Sequence, residues 1–166
     1  MSEEQLSAFL ETASFRVKKI LQEYSSGDLL RVQHFLDPVL YQRLQKELNF
    51  NLKNDQRKVY EEIHVDSTLN REYTENDSFF VEVLCTCKCI SYIARKEEVL
   101  FGLKDRRTTF AFPVLFEKKK DAKDVMVDRC LGCGNPLPID RNGVCPQCGR
   151  VYDLALFDYV IKEMGL

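Results

Sequence analysis

Apolar residues recur at helical spacing at the start of the chain and change to alternation about a third of the way along. Leu6, Leu10, Ala13, Val17, Ile20, Leu21 and Tyr24 follow the helical period. They predict one long amphipathic helix over residues 3–25, opened by a capping box of Ser2 and Gln5. A break at residues 25–28 leads into a short second helix carrying Leu29, Leu30, Val32, Phe35 and Leu36. Asp37 and Pro38 then suit the N-cap and first position of a third helix, with Leu40, Tyr41, Leu44 and Leu48 as its apolar stripe. Residues 51–58 are polar and read as a loop. From residue 59 the period is two. Val59, Ile63, Val65 and Leu69 share one face with Glu61, Ser67, Arg71 and Tyr73. Tyr60, Glu62, His64, Asp66, Thr68, Asn70 and Glu72 form the opposite, polar face. A strand of this length is expected to bend.

After a turn at residues 75–78, a second long strand puts Val81, Val83, Cys85, Cys87 and Cys89 on one face. A charged turn at 95–98 precedes a short strand at 99–103. A charged bend at 104–107 follows, and then a fourth strand carrying Phe110, Phe112, Val114 and Phe116. Pro113 marks an edge or a bulge in that strand. The 104–107 and 118–120 basic clusters are expected to lie near each other, as a solvated edge that resists aggregation or as a patch for phosphates or acids. Helices first and strands afterwards predict an α+β fold with helices on one face of a curved antiparallel sheet. Sheet curvature around the first helix would give a cone with a pocket at its open end. Residues 151–164 fit both helical and strand periods.

Candidate chemistry is concentrated in residues 130–149. Cys130 and Cys133 form one CxxC pair, and Cys145 and Cys148 form another. Gly134 and Gly149 follow the pairs, and Asn142-Gly143 between them signals a hairpin. Four thiolates from two tight turns suit tetrahedral zinc, so one structural zinc ion is expected, with iron as a substitute for the same ligands. A complete thiolate shell leaves no position for water or substrate, so the metal is read as a staple rather than a catalyst.

Elsewhere the signals for catalysis are thin. His34 has no second candidate ligand near it. His64 and Asp66 are neighbours on the polar face of a strand, without a nucleophile or metal ligand beside them. Cys85, Cys87 and Cys89 could make a second metal or redox site. However, alternate strand residues lie about 6.6 Å apart along the chain, which suits core packing better than chelation. No catalytic residue is therefore assigned.

The chain has 166 residues, 45% hydrophobic and 30% charged, with a net charge of −2. This suits one domain with a small appendage and weighs against a generic nucleic-acid binder. An acidic N-terminus without an apolar leader, and the lack of a long apolar run, predict a cytoplasmic protein with no transmembrane segment. Seven cysteines then read as thiols and metal ligands.

Four segments together resemble small bacterial Tim-44-like proteins. They are FLDPVLYQRLQKEL, VYEEIHVDSTLNREY, TTFAFPVLFEKK and CLGCGNPLPIDRNGVCPQCGRVYDLALFDYVI. The resemblance implies a cone like nuclear transport factor 2, with the zinc ribbon inserted before the last strand. It places that strand at residues 157–162. The implied division is a cone domain over 1–128 and 154–166, with a ribbon over 129–153. Where many relatives carry tryptophan, this chain has Tyr159 in the last strand and Phe110 or Phe112 in the fourth. No Gly-rich or membrane-anchoring extension is seen, so membrane association is not implied. The expected function is a non-enzymatic module that binds or scaffolds a protein or a small ligand. An enzyme using the cone pocket and a nucleic-acid-binding ribbon are the alternatives.

Overall fold

The computed structural model describes residues 1–121, 147–149 and 159–166. Helix α1 spans Glu3–Ser26. Its capping box is complete: Gln5 N–H donates to Ser2 Oγ at 3.1 Å, and Ser2 N–H donates to Gln5 Oε1 at 2.9 Å. Ala13, Val17, Ile20 and Leu21 form its buried stripe. The short second helix is the segment Leu30–Phe35, and it is a 3-10 helix. The reason lies in its two ends. Asp28 accepts from Leu30 N–H at 2.9 Å, and Pro38 holds Asp37 in an extended conformation, leaving no room for two α-turns. Helix α2, Pro38–Lys53, begins as predicted, with the Asp37 side chain accepting from Val39 N–H at 3.0 Å.

Four strands follow: β1 (Gln56–Glu75), β2 (Ser78–Arg95), β3 (Glu98–Lys119) and β4 (Val160–Met164). They form an antiparallel sheet in sequence order. The class is α+β, with two N-terminal α-helices and a four-stranded sheet. Because α2 continues to Lys53 and β1 begins at Gln56, the predicted loop at 51–58 shrinks to a two-residue link. The β1–β2 turn is Asn76-Asp77, both at positive φ (47° and 61°), which suits a tight hairpin. Of the last strand that the resemblance places at 157–162, residues 157 and 158 lie outside the described residues, and β4 begins at Val160. Residues 120–159 connect two strands that are hydrogen-bonded neighbours.

Bulges set the shape of the sheet. In β1, Glu62 and Ile63 together face a single β2 residue, and Glu62 has a φ of 52°. A second bulge sits at Asn70. In β3, residues 104–107 lie between the pairs Ser91–Leu103 and Cys89–Thr108, opposite Ile90 alone. The two strands predicted at 99–103 and 110–116 are thus one strand with a four-residue excursion. Arg107 holds the excursion in place, donating to Glu62 O at 2.7 Å and to Lys88 O at 3.3 Å. Gly102, at a φ of 87°, lies so close to β2 that a Cβ would sit 2.4 Å from Ser91 O. Pro113 pairs with Leu84 of β2 one residue before the first β3 residue paired with β4, and its carbonyl accepts from Gly165 N–H at 2.8 Å just past the end of β4.

The main core lies between α1, α2 and one face of the sheet. Val83, Cys85, Cys87, Cys89, Val114 and Ile161 are all 0% exposed there. Phe9 makes edge-to-face contacts with Phe116 and Tyr159, at centroid distances of 5.2 and 5.1 Å. The buried Arg16 guanidinium donates to Tyr159 O at 2.6 Å. Past the Glu62 bulge the alternation of β1 inverts. Tyr60 packs against the main core, whereas Val59 joins Tyr92, Ala94, Ile90 and Val99 in a second cluster. The predicted single apolar face, Val59 through Tyr73, is therefore two half-faces on opposite sides.

Candidate functional site

Where α1 and α2 meet the first residues of β1, the sheet leaves a cavity of about 190 Å³. Helical spacing on α1 brings Ile20, Leu21 and Tyr24 to it. On α2, Leu44, Glu47 and Asn51 share one face and supply the second wall. Lys58 and Tyr60 alternate on β1 and point the same way, and Ile93 is the cross-strand partner of Lys58 on β2. Met164 and Leu166 complete the lining. The floor is apolar and the rim carries the polar groups.

Those polar groups differ in how well they are matched. Tyr24 donates from its hydroxyl to Glu47 Oε2 at 3.4 Å, and Arg43 Nε lies 3.9 Å from Glu47 Oε1. Burial, reinforced by Glu47, pushes the Tyr24 phenol up to about 12. Burial also raises Tyr60, helped by Tyr24 and the nearby thiols. Lys58 is lowered from the ordinary lysine value, chiefly because it is partly desolvated. Its ammonium lies 5.1 Å from the Tyr60 ring centroid, a cation–π distance. Among the described residues Lys58 has no carboxylate within ion-pair distance.

Beside the cavity the concave face is filled. The expectation that Cys85, Cys87 and Cys89 pack in the core holds: all three are fully buried. Burial raises all three thiols, Cys87 to about 12, so they stay protonated and poorly nucleophilic near neutral pH. Ser67 Oγ lies 3.5 Å from Cys85 Sγ.

The other sequence candidates are not brought into this cavity. His64 Nε2 and Asp66 Oδ2 lie 3.1 Å apart, but their side chains are 65% and 74% exposed and face solvent. The side chain of His34 lies outside the described residues. The two basic clusters are not neighbours, because they lie roughly 35–40 Å apart along β3. Lys118 sits over the Tyr159 ring and Lys119 pairs with Glu117.

Of the predicted zinc ligands, Cys130, Cys133 and Cys145 lie outside the described residues. Cys148 is exposed in a turn with Gln147, and Gly149 follows at a φ of 76°. That left-handed glycine is what a metal knuckle requires after its second cysteine, so this fragment fits a zinc site. Among the described residues no three side chains of His, Cys, Asp and Glu converge as metal ligands.

Two groups of residues escaped the sequence reading. The hydrophobic period puts Lys58 in a loop and Tyr60 on a solvent face, because it carries no sign of the Glu62 bulge. Glu117 was also missed. It is buried, and accepts from Ser78 Oγ at 2.7 Å, Lys119 Nζ at 2.9 Å and Lys162 Nζ at 3.1 Å. Burial alone would raise its carboxyl, but these three donors outweigh burial and bring it to about 2. This cluster ties the end of β3 to β2 and β4 and is structural.

No protein-family model matches the chain, and no curated protein matches it. Among the described residues no helix is long and apolar enough to cross a membrane.

Proposed function

We propose that this chain is a non-enzymatic, zinc-stapled binding module of the Tim-44-like type, a cone that takes a small ligand or a partner's side chain in its cavity. One observation carries the reading. The interior next to the cavity is filled by cysteine, valine and phenylalanine side chains, and among the described residues the small apolar recess has no nucleophile–base pair. Glu47 is the carboxylate among the described lining residues, and it is engaged by Tyr24 and Arg43. Long bulged strands wrapped on α1 support the cone. The placement of residues 120–159 between neighbouring strands supports a ribbon inserted before the last strand. Buried thiols at Cys85, Cys87 and Cys89, none in a disulfide, support a reducing, cytoplasmic setting.

In this reading Cys130, Cys133, Cys145 and Cys148 hold one zinc ion, whose role is to fold the ribbon. The ligand enters beside α2, and the rim of Tyr24, Asn51, Lys58 and Tyr60 orients it.

The test has two parts. Elemental analysis of reduced protein is expected to find one zinc per chain, and a chain free of metal overturns the staple. Saturable binding of a small-molecule probe, abolished by the cavity-filling Ile93→Trp, is expected without turnover. Turnover that depends on Lys58 or Tyr60 would replace the binding reading with an enzyme.

A further inference from the structure

The cavity of the proposed binding module contains a lysine without an ion-pair partner among the described residues, which identifies its ligand more closely. Lys58 is half-buried, stands on β1 directly opposite Ile93, and rests over the Tyr60 ring. Among the described residues it makes no ion pair and no hydrogen bond. The Tyr60 hydroxyl likewise has no acceptor among the described residues. Glu47, the acidic side chain of the lining, lies against Tyr24 and Arg43 rather than Lys58. Two donors thus border an apolar recess, neither of them bonded to that carboxylate. Leaving such groups partly desolvated and unmatched is costly, and one bound acceptor of negative charge relieves both.

Size and lining limit the rest of the ligand. A volume of about 190 Å³ corresponds to about six water-sized groups, below the 300–1,000 Å³ of typical drug-sized pockets. Ile20, Leu21, Leu44 and Ile93 offer it only apolar contact. One cation matches one negative charge, and apolar walls match a compact hydrocarbon or aryl body.

We infer that the cavity is a site for a small organic monocarboxylate, its carboxylate held by Lys58 and the Tyr60 hydroxyl and its apolar body laid against Ile20, Leu21 and Ile93. The assignment rests on the binding-module reading of the same cavity. It gives Lys58 a role that no packing argument supplies.

The experiment is an amide NMR titration of the whole chain as purified, with benzoate and with benzyl alcohol, its neutral counterpart. Benzoate is expected to shift the amides of Lys58, Tyr60 and Ile93. It is expected to bind about tenfold more tightly than the alcohol, or more, as for a hydrogen-bonded charge. Lys58→Met is expected to lower benzoate to the level of the alcohol and leave the alcohol unchanged, with the dispersed spectrum confirming a folded variant. Equal affinity of the two probes, with both seated in the cavity, overturns the carboxylate assignment and keeps the binding module. Benzoate shifts confined to other surfaces also overturn the assignment. If neither probe reaches the cavity and Ile93→Trp changes nothing, the binding-module reading falls with it.

Discussion

Residues 81–89 of β2 and residues 58–60 of β1 border the same interior, yet they make opposite kinds of surface. The first stretch places Val81, Val83, Cys85, Cys87 and Cys89 in the main core with almost no exposure. Small, soft side chains fill the space there. The second stretch is tied to α1 through its backbone, where Tyr60 N–H donates to Ser25 Oγ at 2.6 Å and Ser25 Oγ donates to Tyr60 O at 3.2 Å, while the long side chains of Lys58 and Tyr60 line the cavity with Tyr24 and Glu47. The Glu62 bulge separates the two. One bulge thus divides a single sheet face into a part sealed in the core and a part that borders a cavity. Bulges commonly re-aim side chains in this way.

The largest expected effect that separates these parts is in the sealed region. Phe116→Ala removes a fully buried ring in edge-to-face contact with Phe9, and is expected to cost about 3–5 kcal/mol. Urea unfolding measures it, and a loss below about 1 kcal/mol would show that the region is less tightly packed than described. Ligand affinity in the surviving folded fraction should not change.

An intermediate effect is expected at the far end of β3. Glu117→Gln should cost roughly 2 kcal/mol near neutral pH, since it removes a buried carboxylate bound by three donors. The folded carboxyl lies at about 2 against an ordinary 4.5, so its contribution is fully present above 4.5 and disappears as pH falls toward 2. The stability difference between wild type and variant should therefore close over that window. A difference unchanged from pH 6 to pH 2.5 would mean that the charge is not what the cluster uses.

The smallest expected effect on stability, and the most telling for the comparison, is at the cavity. Lys58→Met removes a partly desolvated cation without an ion-pair partner among the described residues, so it should change stability by less than about 0.5 kcal/mol, on the stabilising side. Because folding lowers this amine, wild-type stability should rise as pH climbs from the folded value to the ordinary one, and the variant should lack that rise. A loss of more than 1 kcal/mol would assign Lys58 to the fold rather than to a ligand.

Much of the framework was legible in the sequence, because local signals govern it. The Ser2–Gln5 box, the Asp37-Pro38 start of α2 and the alternation of β2 each act over a few residues, and each appears in the structure. The spacing of Cys130, Cys133, Cys145 and Cys148 is likewise a feature of the sequence alone, and it is what the proposed zinc staple is drawn from.

Tertiary structure decided what alternation cannot express. A bulge inserts a residue without altering composition, so the inversion at Glu62, and with it the inward turn of Tyr60 and Lys58, leaves no mark on the hydrophobic period. The same holds for the Lys104–Arg107 excursion, whose charges read as a loop although strand pairing continues on both sides. The cavity draws on α1, α2, β1, β2 and β4, and its Glu47 lies against Tyr24 and Arg43. Local sequence determined the helix starts and the alternation of β2. Bulges and long-range packing decided which side chains meet at the cavity, because only the folded chain brings distant residues within reach of one another.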